Sequence, residues 1–413
     1  MLKRILVGFF ILISSISVAQ EGTTSPYSFY GIGSLNFRGT AENRTMGGIS
    51  VHSDSIHLNL QNPAGLSELR LVNYSISASH ERDTEKTDNE TQKLQTTSFD
   101  YLAIGIPIAK GVGASFGVLP YTSVGYSILD EGDDSTTQYN GEGGLNRVFL
   151  ALGTKIFKGF SIGVDADYNF GRIENTSVTT IADIERGTQE TNRSNVSGLS
   201  LNFGAQYRTM VSENLEFSGS ITYTPETNFT SENSRTIGTI FVSNTGNIPI
   251  DSRDVDVEDS EFTFPSQFTV GLGIGKPKKW FVGAEYTDQK TSNFSNQTFE
   301  IENVTFNDAA KYRLGGFYIP NYNAIGNYWK RVVYRAGVRF EESGLNINGE
   351  DINEFGISFG VGVPVGRIFS NINLGLEVGR RGTKNAGLVQ ENFFNAFLSL
   401  SLNDRWFEKR YYD

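Results

Sequence analysis

The sequence predicts an all-β protein, an antiparallel transmembrane β-barrel of about 14 strands with an N-terminal plug, or hatch, inside its lumen. Three observations predict it. An export signal opens the chain, long stretches alternate apolar and polar residues with a period of two, and aromatic residues gather at strand ends.

Met1 to Arg4 is a basic start, Ile5 to Ile16 an apolar run, and Ser17-Val18-Ala19 a small-residue cleavage site. The run is too short to span a bilayer, so residues 1–19 read as a secretory signal peptide and the mature chain starts at Gln20. No later apolar run approaches the ~20 residues of a membrane helix. The chain has no cysteine, so no disulfide framework holds it. Its net charge of −11 argues against nucleic acid as a partner.

Residues 20–69 form a lead-in and a hatch. Tyr27, Phe29, Tyr30 and Phe37 make the lead-in aromatic. From Ala41 to Arg70 the residues suit neither strand nor helix: Gly47-Gly48, a polar 52–55, then the turn chemistry of Asn62-Pro63-Ala64-Gly65. Met46, Ile49, Val51, Ile56, Leu58 and Leu60 are too apolar for a free tail, so this stretch is expected to pack inside the bore.

Residues 70–403 read as the wall, with 404–413 as a periplasmic tail and both termini periplasmic. From Ile368 to Val378 one parity carries Ile372, Leu374, Leu376 and Val378, and the other Asn371, Asn373, Gly375 and Glu377. Lipid outside and a polar lumen inside produce this dyad pattern. It recurs in 160–170, where Phe160, Ile162, Val164, Ala166, Tyr168 and Phe170 oppose Asp165, Asp167 and Asn169. It recurs again in 199–208, 215–223, 263–274, 332–341 and 394–403. Strand starts are expected near 70, 95, 112, 145, 159, 197, 214, 262, 279, 309, 330, 352, 368 and 391. Short turns at 110–111, 157–159, 212–214 and 275–278 should face the periplasm, and long polar loops at 129–144, 172–196, 225–261 and 288–308 the outside. The acidic residues of 225–261 do not have EF-hand spacing and read as a solvated loop, not a calcium site. Trp280, Trp329 and Trp406 fall at the short-turn end, and Tyr126, Tyr168, Tyr223 and Tyr286 near the other, as two interfacial girdles.

Arg44, Gly48, Asp54 and then Asn62-Pro63-Ala64, followed by Gly65-Leu66 and the first strand, resemble the hatch of the FadL-type outer-membrane transport proteins. The resemblance spans nearly all the mature chain. It implies a passive carrier of hydrophobic small molecules such as long-chain fatty acids, seated in the outer membrane amid lipid and lipopolysaccharide. It also implies a kink in the third strand that opens the wall. Pro120 on the strand from Gly111 to Tyr126 can donate nothing to a ladder and fits such a break, with Gly117 beside it. A bulge without transport meaning is the alternative.

Inward parity also falls on Asp165, Asp167, Arg208, Glu285, Arg313, Arg335, Arg339 and Glu377. Arg335 and Arg339 lie two side chains apart and could together grip a headgroup carboxylate, with Arg313, Glu285 and Glu377 nearby. Pairing among themselves or with the hatch is the plainer reading. Catalysis is not expected. His52 and His57 lie in the hatch, His80 lies without a serine-acid partner pattern, and there is no phosphate-cradling loop, metal spacing or cofactor motif. The second functional reading is a plugged, non-transporting subunit of a larger outer-membrane assembly or secretion machine.

Overall fold

A computed structural model describes residues 22–243, 246–293, 303–366 and 370–405. The proposed signal peptide, Trp406 and most of the tail, and Ile368 lie outside the described residues. No helix is long and apolar enough to cross a membrane.

The wall is a closed antiparallel barrel of 14 strands. Several are interrupted. In chain order the wall segments are β2 (Val72–Lys86), β3 (Thr91–Ala109), β4 (Val112–Pro120), β5 (Thr122–Glu131), β6 (Ser135–Phe157), β7 (Phe160–Ile181) and β8 (Arg186–Ser212). Then come β9 (Leu215–Thr224), β10 (Thr227–Ser243), β11 (Gly246–Val255), β12 (Ser260–Phe264), β13 (Gln267–Lys276) and β14 (Trp280–Gln289). The rest are β15 (Val304–Phe306), β16 (Ala309–Tyr318), β17 (Val333–Ile347), β18 (Glu350–Val365), β19 (Ser370–Arg381) and β20 (Gln390–Asp404). β4 with β5, β9 with β10, β11 to β13, and β15 with β16 each make one wall strand, because each set lies along the same neighbours. β20 closes the ring on β2 along its whole length. Closure leaves no free strand edge except where the third wall strand is interrupted at Pro120, which is close to the condition for crossing a bilayer with strands.

The dyad pattern appears as burial. Leu199, Leu201, Phe203, Leu374, Leu376 and Val378 are exposed on the outside, while Asp165, Asp167, Asn202, Asn373, Glu377 and Asn395 are buried on the inside. The outer face is the lipid-facing band.

The expected long loops are mostly not loops. Residues 129–144, 172–196 and 225–261 fold largely as continuations of β5 to β8 and of β10 to β12, paired well beyond the apolar band. Above Phe170, β7 continues to Ile181, about 35 Å at strand rise. Much of both faces of this tall fin meets water, with Ile173, Val178, Val196 and Ile240 buried, and β11 is exposed at nearly every residue. Its Thr, Ser and Asn therefore carry no apolar alternation, and a reading by periodicity sees a loop. The alternation of lengths also fails at 319–332, a long connection at the short-turn end. Two other assignments are corrected. Tyr126 turns inward into a cluster with Ile32, Leu145 and Phe229, while Tyr168, Tyr223 and Tyr286 do face out. Phe264 is also inward, because Pro265 interrupts the strand before β13 and the side alternation restarts.

Thr24 to Tyr27 lies among the upper ends of β2, β19 and β20, where a periplasmic start was expected, while Gly22 and Ser28 lie against β5 at Ser123 and Gly125. Thr24 donates to Asp83, Ser25 to Glu391 and the Tyr27 hydroxyl to the carbonyl of Val389. The described lead-in thus begins beside Ser123 in the upper half of the bore, reaches the upper strand ends at Tyr27 and returns to Ser123 at Ser34 before it enters the hatch. Its aromatic rings explain this: Tyr27 packs on Leu345, Ile347 and Ile352, and Phe29 sits edge-on to Tyr126.

Candidate functional site

The hatch is one short helix and a series of turns, each fastened to a different part of the wall. α1 (Ala41–Arg44) starts at Thr40, whose N–H and hydroxyl both donate to the Asn43 side chain. Its own Arg44 donates to Glu377 at 3.0 Å and lies over the Phe397 ring. Gly47 and Gly48 follow with φ of +68° and +88°, a left-handed turn that a side chain would strain. Ser50 then donates through its N–H and its hydroxyl to Glu285, both at 2.7 Å. Gln206 and Arg208 donate to the carbonyls of Val51 and Ser53.

Asp54 turns the chain onward by accepting from the N–H groups of Ile56 and His57, and it holds the His57 ring at 2.7 Å. Burial works against charge on both. Even so, His57 keeps the Asp54 carboxyl below its ordinary range, and Asp54 lifts the His57 ring above its own. His52, half-buried between Phe281 and Phe317, is pushed down to about 4 by loss of solvation, which the Asp54 charge only partly offsets.

Asn62 caps the final turn, Pro63–Glu68, by accepting from the N–H of Ala64, and its amide donates to the Ala205 carbonyl of β8. This turn lies directly on inward glycines. A Cβ at Gly163 would stand 2.4 Å from Pro63, at Gly204 2.2 Å from Asn62, and at Gly113 2.2 Å from Leu66. Across the bore, Gly315 and Gly337 receive Met46 and Gly47, with a Cβ at Gly337 only 2.1 Å from the Gly47 nitrogen. The glycines of the polar face are thus seats where two backbones approach without a side chain between them.

Above the hatch is a chamber of 280 Å³. Phe37, Tyr101, Tyr121, Phe229, Phe264 and Phe397 line it, together with a set of paired charges. Arg38 bridges Asp165 and Asp167, and Arg147 also reaches Asp167 while its guanidinium lies 3.9 Å over Tyr121. Arg339 is held by Glu341, Glu354 and Glu377, and Arg381 by Glu354 and Glu391. Below the hatch lies a second chamber of 260 Å³, lined by Met46, Ile56, Phe317, Tyr322 and Arg335 among others.

The candidate headgroup residues are therefore not one group. Arg335 and Arg339 are both inward on β17, but Gly47 lies against the wall at Gly337 between them. Arg339 faces the upper chamber and Arg335 the lower, where it donates to Asn373. Arg313 reaches the Gly48 carbonyl and Glu285 accepts from Ser50, so both hold the hatch from the wall. Glu377 joins Arg44 to Arg339. Among the described residues no cluster of His, Asp and Glu could hold a metal ion, the acidic stretch of 251–261 included.

The third wall strand is broken. β4 pairs with Leu102–Ala109 of β3 and ends at Pro120; β5 begins at Thr122 and pairs with β6. Among the described residues the upper part of β3, Thr91–Tyr101, pairs with β2 alone. No ladder joins it to β5. Gly117 sits just below the break, where a Cβ would stand 2.2 Å from the Leu102 carbonyl. Opposite, β6 passes from β4 to β5 through Gly143 and Gly144, with φ of +107° and +136°. The lead-in occupies part of the open edge: β1 (Ser34–Leu35) pairs with Thr122 and Ser123, and Asn36 donates to the Tyr121 carbonyl. The upper chamber reaches this break, since exposed Leu35 and Phe99 are part of its lining. Sequence reasoning missed Arg38, Arg147 and Arg381. Arg38 belongs to no periodic segment, and the partners of the other two depend on the fold.

The molecule is a transmembrane β-barrel whose bore is filled by its own N-terminal segment. Its fold is shared with the monoaromatic hydrocarbon channel CymD, with a TM-score of 0.58 at 13% identity over 90% of this chain and 100% of that one. The toluene transporter TodX of Pseudomonas putida gives 0.56 at 14% identity over 89% and 98%, and a FadL homologue of Pseudomonas aeruginosa gives 0.54 at 10% over 89% and 98%. At such identities the likeness is one of fold. The chain belongs to the BamG family, whose family model matches residues 1–413. No curated protein matches it in sequence.

Proposed function

We propose that this barrel passes hydrophobic small molecules across the outer leaflet by way of the upper chamber and the break in its third strand. One observation carries the reading: an aromatic-lined chamber above the hatch extends to the place where β3 and β5 are unpaired. The carried molecule has an apolar body for Phe37, Tyr121, Phe229 and Phe264, and its polar end faces the arginine–carboxylate network. It enters at the extracellular end and leaves sideways beside Pro120, because each buried methylene favours the bilayer by ~0.8 kcal/mol and no pump is required. A small shift of the lead-in, held at the break by β1 and Asn36, uncovers the route. Replacing Pro120 and Gly143-Gly144 with residues that continue a regular ladder should stop uptake of a labelled long-chain fatty acid while barrel assembly persists. Unchanged uptake would refute the lateral route.

A second reading rests on its own observation. The upper charges are mutually satisfied and the lead-in covers part of the open edge, so the bore also suits a permanently shut subunit of an outer-membrane assembly. The fin and the 319–332 connection would then be docking surfaces at the two ends. Purification in mild detergent separates the two: stoichiometric partner proteins support the assembly, and a lipid-like molecule bound in the upper chamber supports carriage.

A further inference from the structure

Below the hatch the charges do not balance as they do above it. Every arginine named in the upper network has a carboxylate within 4.0 Å. Arg335 is 6% exposed, and among the described residues no carboxylate comes within 4.0 Å of it. Its described hydrogen bond is to Asn373 at 3.0 Å. Arg331 and Lys278 line the same chamber and likewise have no carboxylate at that distance among the described residues. The Nε of Arg331 is buried without a partner, and Lys278 and Arg331 lie against the rings of Tyr322 and Tyr328. Two carboxylates face these three cations. Asp54 is engaged by His57, and Glu42 accepts from Asn373 through one oxygen while the other has no partner.

A buried guanidinium without a counter-ion is costly, and five N–H donors in a planar fork are shaped for a carboxylate or a phosphate. The remaining lining is mostly apolar: Met46, Ile56, Leu58, Phe317, Ile319 and Val333. The long connection 319–332 closes over the mouth and contributes Ile319, Tyr322 and Arg331, so the chamber is reached from the periplasmic side. Apolar walls with a few convergent polar groups are the usual make-up of a small-molecule site.

We propose that the lower chamber binds a small organic anion, an aromatic or aliphatic body with one carboxylate or phosphate, from the periplasm. The anion lies on Arg335 and Arg331, its body lies between Phe317 and Met46, and Lys278 stands at the entrance. The vacant Glu42 oxygen accepts from a hydroxyl or ammonium at the far end of the ligand. The site is separate from the upper chamber and does not depend on whether that chamber carries cargo.

The test uses the full barrel in nanodiscs of zwitterionic lipid, with benzoate as probe and benzamide as its neutral counterpart, read by calorimetry and saturation-transfer NMR. Benzoate should bind at least about tenfold more tightly than benzamide, and added salt should weaken it. Arg335→Gln should remove most of that preference. Arg331→Gln and Lys278→Gln, nearer the surface, should each reduce it, and they carry the test if Arg335→Gln does not assemble. Arg339→Gln, above the hatch, should leave it intact. Equal binding of the two probes, a preference untouched by all three lower-chamber variants, or a preference lost in Arg339→Gln would overturn the proposal.

Discussion

Arg335 and Arg339 share a strand, a face and a side chain, and their surroundings are opposite. Arg339 stands among three carboxylates. Arg335 stands beside an amide, in a chamber where cations outnumber free carboxylates. Strand parity decides only which side of the wall a residue faces. The hatch crossing at Gly337 decides its depth, and depth decides its partners.

The largest effect expected from that contrast is at Glu377. Glu377→Ala strips a buried carboxylate from both Arg44 and Arg339 and should cost about 3–5 kcal/mol of unfolding free energy. Arg335→Met removes a cation that has no paired carboxylate, and should be near neutral or stabilising. Urea unfolding in detergent compares the two, and equal losses would break the distinction between chambers.

Next comes the seat of the hatch. Gly337→Val places a side chain against the Gly47 backbone, at an overpacking cost of about 1–3 kcal/mol. The hatch should lift, the two chambers should join, and single-channel conductance in planar bilayers should rise. A conductance as low as in the parent barrel would mean that the lead-in alone seals the bore.

A smaller effect is expected with pH. The His57 pKa is raised in the folded barrel, so its contribution is full below the unfolded value and is lost as pH rises through the folded one. The Asp54 pKa is depressed, so its contribution fades only in acid. From pH ~7, where His52 is largely neutral in both states, towards ~9 the thermal midpoint should therefore fall, and His57→Gln should flatten that dependence. Smallest of all is Asp308→Asn, which breaks a solvent-exposed pair with Lys290 and should not move the midpoint measurably.

Residues 160–170 and 371–378 were legible because lipid on one side and a polar bore on the other impose two chemistries on alternate positions. The fin was not legible, since above the membrane β7 and β8 bury only a few apolar side chains, Ile173, Val178 and Val196, too sparse for a period of two to stand out. The inward glycines could be placed by parity as packing sites, but only the folded hatch shows what packs there: Pro63 on Gly163, Asn62 on Gly204, Gly47 on Gly337. The break at Pro120 was visible as a missing donor. That β3 and β5 are left apart above it depends on where β6 changes partner, at Gly143 and Gly144.

By itself the sequence determined the barrel, a wall of about 14 strands and the face each wall charge takes, because these follow from local period and composition. The tertiary structure alone decided that the lead-in loops through the upper strand ends above the hatch, and that Arg335 and Arg339 lie on opposite sides of the hatch. Both rest on contacts between residues far apart in the chain, such as Ser25 with Glu391, 366 positions away, and Arg44 with Glu377, 333 away, which no local pattern encodes.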